Sequence, residues 1–248
     1  RPPRSTPLYS SAASDVYKRQ DLSGMVRYVG GAKSTNEQFR GDGELATQAV
    51  FNFPSAVAVA DDGTIFIADT WNHRIRKVDP QTGVISTIAG TGQAKFYGDN
   101  GQAGKAALNE PVALAIDANS NLLVADQSNN RIRKIDLSSG LITTIAGNGE
   151  SGYNGDGVLG PDAALAGPSG LALDSEENLY IADTFSSRIR KIDRKTGLIE
   201  TILGGIGVYQ FVAGENESSE SLSRPYALAI DASGRLFITD SDNHLIRV

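Results

Sequence analysis

Apolar residues along this chain fall into short runs that alternate with polar residues and are broken by turn formers. In residues 51–107 the runs cover 56–60, 64–69, 74–79 and 84–89. Between them lie Asp-Asp-Gly, Thr-Trp-Asn-His and Pro-Gln-Thr-Gly. The runs are rich in Val and Ile and too short for helices, so the spacing predicts four β-strands. The separators supply turn chemistry: Gly for positive φ, Asn and Asp for side-chain turns, Pro for a preset φ.

The pattern repeats. Pro54, Pro111, Pro168 and Pro225 are each 57 residues apart, as are Asp69, Asp126, Asp183 and Asp240. A fixed period of this length marks a repeat architecture. Four antiparallel strands per period predict an all-β protein, a β-propeller of four-stranded blades. Full repeats span 51–107, 108–164 and 165–221, with a partial repeat at 222–248; the strand at 25–29, within 21–31, reads as the fourth strand of a further blade. About four blades are present. Two arrangements fit: a ring in which the first strand completes the last blade, or an arc of a five- or six-bladed ring, which would leave strand edges unpaired.

Composition adds bounds. Twenty-seven glycines suit a fold with many tight turns, and the absence of cysteine removes disulfides, thiol nucleophiles and Cys-based zinc sites. No run of 18 or more apolar residues is present, so no membrane segment is expected. Residues 1–20 lack the apolar core of a signal peptide, carry no period and hold a cluster of basic residues. They read as a non-native or disordered leader outside the propeller domain at 21–248. The formal net charge is −6, and the chain is more acidic still without that leader. This disfavours nonspecific nucleic-acid binding, which rests on clustered Lys and Arg.

The segments IADTWNHRIRKVD (67–79) and SDNHLIRV (241–248) resemble the NHL repeat, named for the Asn-His-Leu seen at Asn243–Leu245. The loops at 41–54 and 153–168 resemble the inter-strand segment of bacterial-type NHL proteins. The resemblance covers residues 21–248 and implies a β-propeller, usually of five or six blades, without implying one activity.

Candidate functional residues fall into three groups. The loops between second and third strands and the loops between blades emerge on one face. There, Trp71, His73, Phe96, Tyr97, Tyr153, Phe185, Tyr209 and His244 form a candidate binding face, since exposed aromatics among polar neighbours suit recognition. Asn109, Glu110, Arg224 and Tyr226, beside the repeated prolines, are candidates for the mouth of the central channel. Asp69, Arg74 and Arg76, with Asp126, Arg131, Arg133 and Asp183, Arg188, Arg190, recur in every blade and read as structural ion pairs. The Asp of each Gly-Asp-Gly stretch (41–43, 155–157) reads as an Asx-turn former, with a calcium ligand as the lesser alternative.

A catalytic constellation does not assemble from these residues. His73 and His244 lie three repeats apart, no three or four metal ligands cluster, and no Ser–His–Asp set or phosphate-binding loop is present. No metal and no cofactor is expected. The leading expectation is a non-enzymatic binding or scaffold propeller that recognises a protein or glycan partner through its loop face. The alternatives are a metal-dependent lyase or hydrolase whose catalytic groups lie in other blades, and RNA binding. One Asn-x-Ser sequon occurs at 216–218.

Overall fold

The computed structural model describes residues 17–20, 26–32, 39–205 and 221–248. Two strands, β1 (Tyr17–Gln20) and β2 (Val26–Gly30), pair with each other in an antiparallel ribbon. The first blade is β3 (Pro54–Val59), β4 (Ile65–Asp69), β5 (Arg74–Val78) and β6 (Ile85–Ala89), hydrogen-bonded in that order. The second holds the two-residue β7 (Gly101–Gln102), then β8 (Pro111–Ile116), β9 (Asn121–Asp126), β10 (Arg131–Asp136) and β11 (Leu141–Ala146). The third holds β12 (Val158–Leu159), β13 (Pro168–Leu173), β14 (Leu179–Asp183), β15 (Arg188–Ile192) and β16 (Leu198–Gly204). The fourth is β17 (Pro225–Ile230), β18 (Leu236–Asp240) and β19 (Leu245–Arg247).

This is an all-β propeller of four antiparallel blades, as the 57-residue period predicts. The first strands of neighbouring blades lie side by side: β3 against β8, β8 against β13, β13 against β17. They are therefore the innermost strands. The short β7 and β12 belong to the loops entering the second and third blades and pair with those blades' outermost strands, β11 and β16. In the first blade the Leu45–Val84 bridge takes the same place. Each loop thus covers an outer edge that would otherwise present unpaired N–H and C=O groups. β2 falls within the stretch read as the fourth strand of a preceding blade. Its partner is β1, which lies in the stretch set apart as a leader; among the described residues β19 pairs only with β18. Tyr209, Met25 and the sequon at 216–218 lie outside the described residues.

Among the described residues three of the four apolar core clusters bridge neighbouring blades, and the fourth packs Phe51, Ile67, Val78 and Ile85 of the first blade with Ala46 and Ala49 of its entering loop. One cluster joins Phe66, Ala68 and Ile75 of the first blade to Leu108, Leu122 and Val124 of the second. Another joins Leu123 and Ile132 to Leu165, Leu179 and Ile181 of the third, and a third joins Ala182 and Ile189 to Leu222 and Ile238 of the fourth. Alternation along each strand explains this: one face of a blade packs on the blade before, the other on the blade after.

Candidate functional site

The first three blades carry variants of one buried latch, and in the fourth Arg247 Nε donates to Asp240 at 2.7 Å and Nη2 to the Ser221 carbonyl. Asp69, at the end of β4, has no exposed surface. Its carboxylate accepts from the backbone N–H of Asn52 (2.8 Å), from the Asn72 amide (2.9 and 3.0 Å) and from Arg76 Nη1 (3.3 Å). Arg76 then reaches Asp42 in the loop before the blade, at 2.9 Å. Asp126, Arg133 and Asp99 repeat the arrangement at 3.2 and 2.7 Å. In the third blade Asp183 lies 3.9 Å from Arg190, which pairs with Asp156 at 3.2 Å. The Gly-Asp-Gly aspartates thus accept from arginines, so their side chains are spent on a latch instead of an Asx turn. Burial pushes the carboxyls of Asp69, Asp126 and Asp183 upward, the last two to about 6, against the downward pull of their N–H and arginine donors.

The first arginine of each motif takes a different role. Arg74 donates to the carbonyls of Asn72 and Thr91 (2.9 and 3.0 Å), and its guanidinium lies 3.8 Å from the Phe39 ring centroid. Arg131 covers Phe96 at 3.6 Å and Arg188 covers Tyr153 at 4.0 Å. Two of the sequence-predicted face aromatics, Phe96 and Tyr153, are therefore paired to cations of their own chain, although each keeps about 40% of its surface exposed (39% and 41%). The Tyr97 hydroxyl is 3.0 Å from Thr91 Oγ1.

Nearer the axis the blades differ. The residue before each repeated proline is Phe53, Glu110, Gly167 or Arg224, all with φ between 48° and 58°. Positive φ is costly for the three that are not glycine, and a following proline restricts the backbone further. Each of these residues meets the residue 18 positions on, at the tip of the turn between second and third strands. Phe53 stacks on Trp71 at 4.7 Å and 15°. Glu110 Oε2 accepts from Ser128 Oγ at 2.6 Å. The Phe185 ring lies over Gly167, where a Cβ would sit 2.3 Å from it. Arg224 pairs with Asp242 at 3.8 Å. Backbone bonds from Trp71, Ser128, Phe185 and Asp242 N–H to the carbonyls of Asn52, Asn109, Ala166 and Ser223 fix each pair at the start of its innermost strand. Together they form a rim at the end of the blades where the innermost strands begin.

Contacts also cross from blade to blade along the rim. His73, left-handed at φ 52°, accepts the Glu110 N–H at Nδ1, 3.1 Å away. Asn130 Oδ1 accepts the Gly167 N–H at 2.9 Å, and Arg224 lies 5.5 Å from the Phe185 ring of the preceding blade. Burial lowers the pKa of His73, which favours the neutral ring that this acceptor role requires. His244 holds the corresponding left-handed turn position in the fourth blade and is exposed. Asn109 gives its N–H to Asp126 Oδ1 at 2.6 Å, and Tyr226 is a half-buried bulge residue of β17 whose carbonyl accepts from Ser169. Among the described residues no group of three or more His, Cys, Asp or Glu could hold a metal ion, and no helix is long and apolar enough to cross a membrane.

Phe39 and Phe53 are absent from the sequence-predicted set. Phe53 carries a readable signal: it precedes one of the four phased prolines, where the residue type changes from blade to blade within a constant frame. Phe39 carries one as well: it precedes Phe96 by 57 residues, as Phe96 precedes Tyr153.

Comparison with known proteins agrees with this architecture. The model described as NHL repeat matches residues 51–78, which cover the first three strands of the first blade. The chain is 29% identical over 256 residues to NHL repeat-containing protein 2 of Gallus gallus, covering 90% of this chain and 34% of that protein. It is 43% identical over 96 residues to Protein SUPPRESSOR OF QUENCHING 1, chloroplastic, of Arabidopsis thaliana, covering 39% of this chain and 9% of that protein. The chain thus spans about a third or less of these relatives. A solved auxiliary nutrient binding protein from Bacteroides ovatus shares the fold at a TM-score of 0.60 and 17% identity, covering 97% of this chain and 65% of the other. The matched unit recurs at the 57-residue period with its buried Asp–Arg latch and left-handed turn in place, and the chain belongs to the NHL repeat family.

Proposed function

We propose that this chain is a non-enzymatic binding propeller that recognises a protein or glycan partner through the rim. One observation carries the reading. The residues common to the blades are buried in latches, whereas the residues that differ between blades lie together at the start of the innermost strands, several of them exposed. Phe53, Trp71 and Phe185 keep 51%, 54% and 60% of their surface exposed there. Exposed aromatics beside Glu110, Arg224 and Asp242 have the composition of a recognition surface, which combines aromatic anchors with a polar surround. Latched turns hold these side chains in place before any partner arrives, which lowers the ordering cost of binding.

The test is selection of binders to the wild-type protein from a peptide display library and a glycan array, followed by affinity measurement on variants. Trp71→Ala with Phe185→Ala is expected to weaken selected binders by about tenfold or more. Leu141→Ala, an exposed apolar residue at the start of β11, should leave them unchanged. Full affinity retained by a natively folded double variant would overturn the rim as the site.

A further inference from the structure

We infer that the rim between the first and second blades is an open station for a cationic side chain, filled by an arginine of a partner protein. This inference rests on the rim being the binding surface. Its warrant is an internal comparison between two equivalent joints.

At the joint between the third and fourth blades, Phe185 on one side faces Arg224 on the other, 5.5 Å from guanidinium carbon to ring centroid. Asp242 holds the same guanidinium at 3.8 Å. This joint contains its own cation, an aromatic ring and a carboxylate. Two periods earlier, the same positions hold Trp71 and Glu110. The aromatic is kept and doubled, because Phe53 stacks beneath Trp71. The carboxylate is kept too, but it now stands where the arginine would be. Its backbone is pinned across the joint by His73, and its Oε2 accepts from Ser128. Among the described residues neither Glu110 nor the Phe53–Trp71 pair has a cation of this chain against it.

Elsewhere on the same face the chain supplies that cation itself. Arg74, Arg131 and Arg188 lie over Phe39, Phe96 and Tyr153 at 3.6–4.0 Å. Among the described residues, Trp71 is the rim aromatic that shares its joint with an acid and has no guanidinium of this chain over it. A planar guanidinium matches this site better than an ammonium: it stacks on the indole face while its N–H groups reach the carboxylate edge-on.

Trp71 is the sole tryptophan of the chain, so intrinsic fluorescence reads this station directly. The probe is the peptide acetyl-Gly-Arg-Gly-amide, titrated into the full chain at low salt, with the citrulline peptide as the isosteric neutral control. The arginine peptide should give a saturable change in tryptophan emission that weakens with added salt, and the citrulline peptide should bind at least about fivefold more weakly. Glu110→Gln should weaken the arginine peptide by about fivefold. Glu110→Arg should install the missing cation, alter the emission of the free protein as the peptide does, and abolish the response. Arg235→Ala, in the turn between β17 and β18 and away from the rim, should leave it intact.

An equal response to both peptides, a stronger response to a neutral oligosaccharide, or an unchanged response in Glu110→Arg would overturn the inference. The wider reading fails separately: if selected binders ignore Trp71→Ala and Phe185→Ala, the rim is not the surface at all. If those binders depend on the rim while the arginine peptide gives no response, only the cationic station is lost.

Discussion

A buried carboxylate at a strand end, held by a backbone N–H, a turn side chain and a nearby arginine, is the smallest unit of this protein that recurs from blade to blade; the turn group is an amide in three blades and the Ser186 hydroxyl in the third. Asp126 and Asp183, each with no exposed surface, are pushed up to about 6 by burial, whereas an unfolded aspartate titrates near 4. A raised folded pKa means that the folded state holds more protons between those values, so this contribution to stability is present at low pH and lost as pH rises through about 6. The exposed turn aspartates act oppositely. Asp62, Asp79 and Asp193 accept from nearby N–H and hydroxyl groups, which lowers their pKa, and they lose stability as pH falls below the ordinary carboxylate value. Thermal melts across pH 4–8 should therefore show a maximum on the acid side of neutrality. Asp126→Asn with Asp183→Asn should flatten the fall between pH 5 and 7; a maximum at or above pH 7.5 would refute the assignment. At this scale the sequence showed the recurring Asp and Arg plainly. It could not show that the second arginine of each motif takes the carboxylates while the first takes carbonyls and a ring, because both lie two residues apart on one strand, point to the same side of the sheet and flank the same ring.

Between elements, the joints are not all alike. Where the first blade meets the second, Thr70 Oγ1 donates to the Pro111 carbonyl at 2.7 Å and Ser55 Oγ to that of Val112 at 3.0 Å. The third and fourth blades repeat this through Thr184 to Pro225 and Ser169 to Tyr226, both at 2.8 Å. The second blade holds Val112 and Gln127 in the equivalent places, and its joint with the third lacks the clamp. There a bond at the far end of the blades serves instead: the Ala118 N–H donates to Glu177 Oε2 at 2.9 Å, from a glutamate at φ 67° where the first and fourth blades have glycine. Thr70→Val and Thr184→Val should each cost about 1–2 kcal/mol in urea melts, because a buried carbonyl loses its donor. Gln127→Val should cost less than about 0.5 kcal/mol. Equal losses at all three positions would show that the clamps do not set joint strength. The strands themselves were legible from alternation and turn residues. The joints were not, since their hydrogen bonds link residues 41 and 57 positions apart.

For the molecule as a whole, three core clusters span blade interfaces, so neighbouring blades bury apolar faces against each other. The number of blades and their order followed from the phased prolines. The rim did not, because its members are defined by changing from repeat to repeat: Glu110 and Arg224 stood out as charges beside a proline, while Phe53 passed as one more apolar residue. The latch carries a consequence for how such chains recombine. Asp42, Asp99 and Asp156, with Phe39, Phe96 and Tyr153, lie in the loops that leave one blade, yet every one is gripped by arginines of the blade that follows. The inheritable module is thus a loop with its downstream blade, and the phased proline is the wrong crossover point. A chimera that duplicates residues 93–149 keeps each aromatic and aspartate with its own arginines. One cut at the prolines, duplicating 111–167, parts the entering loop of the copied blade from it and relies on cross-recognition between non-identical partners. The first chimera should melt cooperatively and above the second, and the reverse order would place the true seam at the proline.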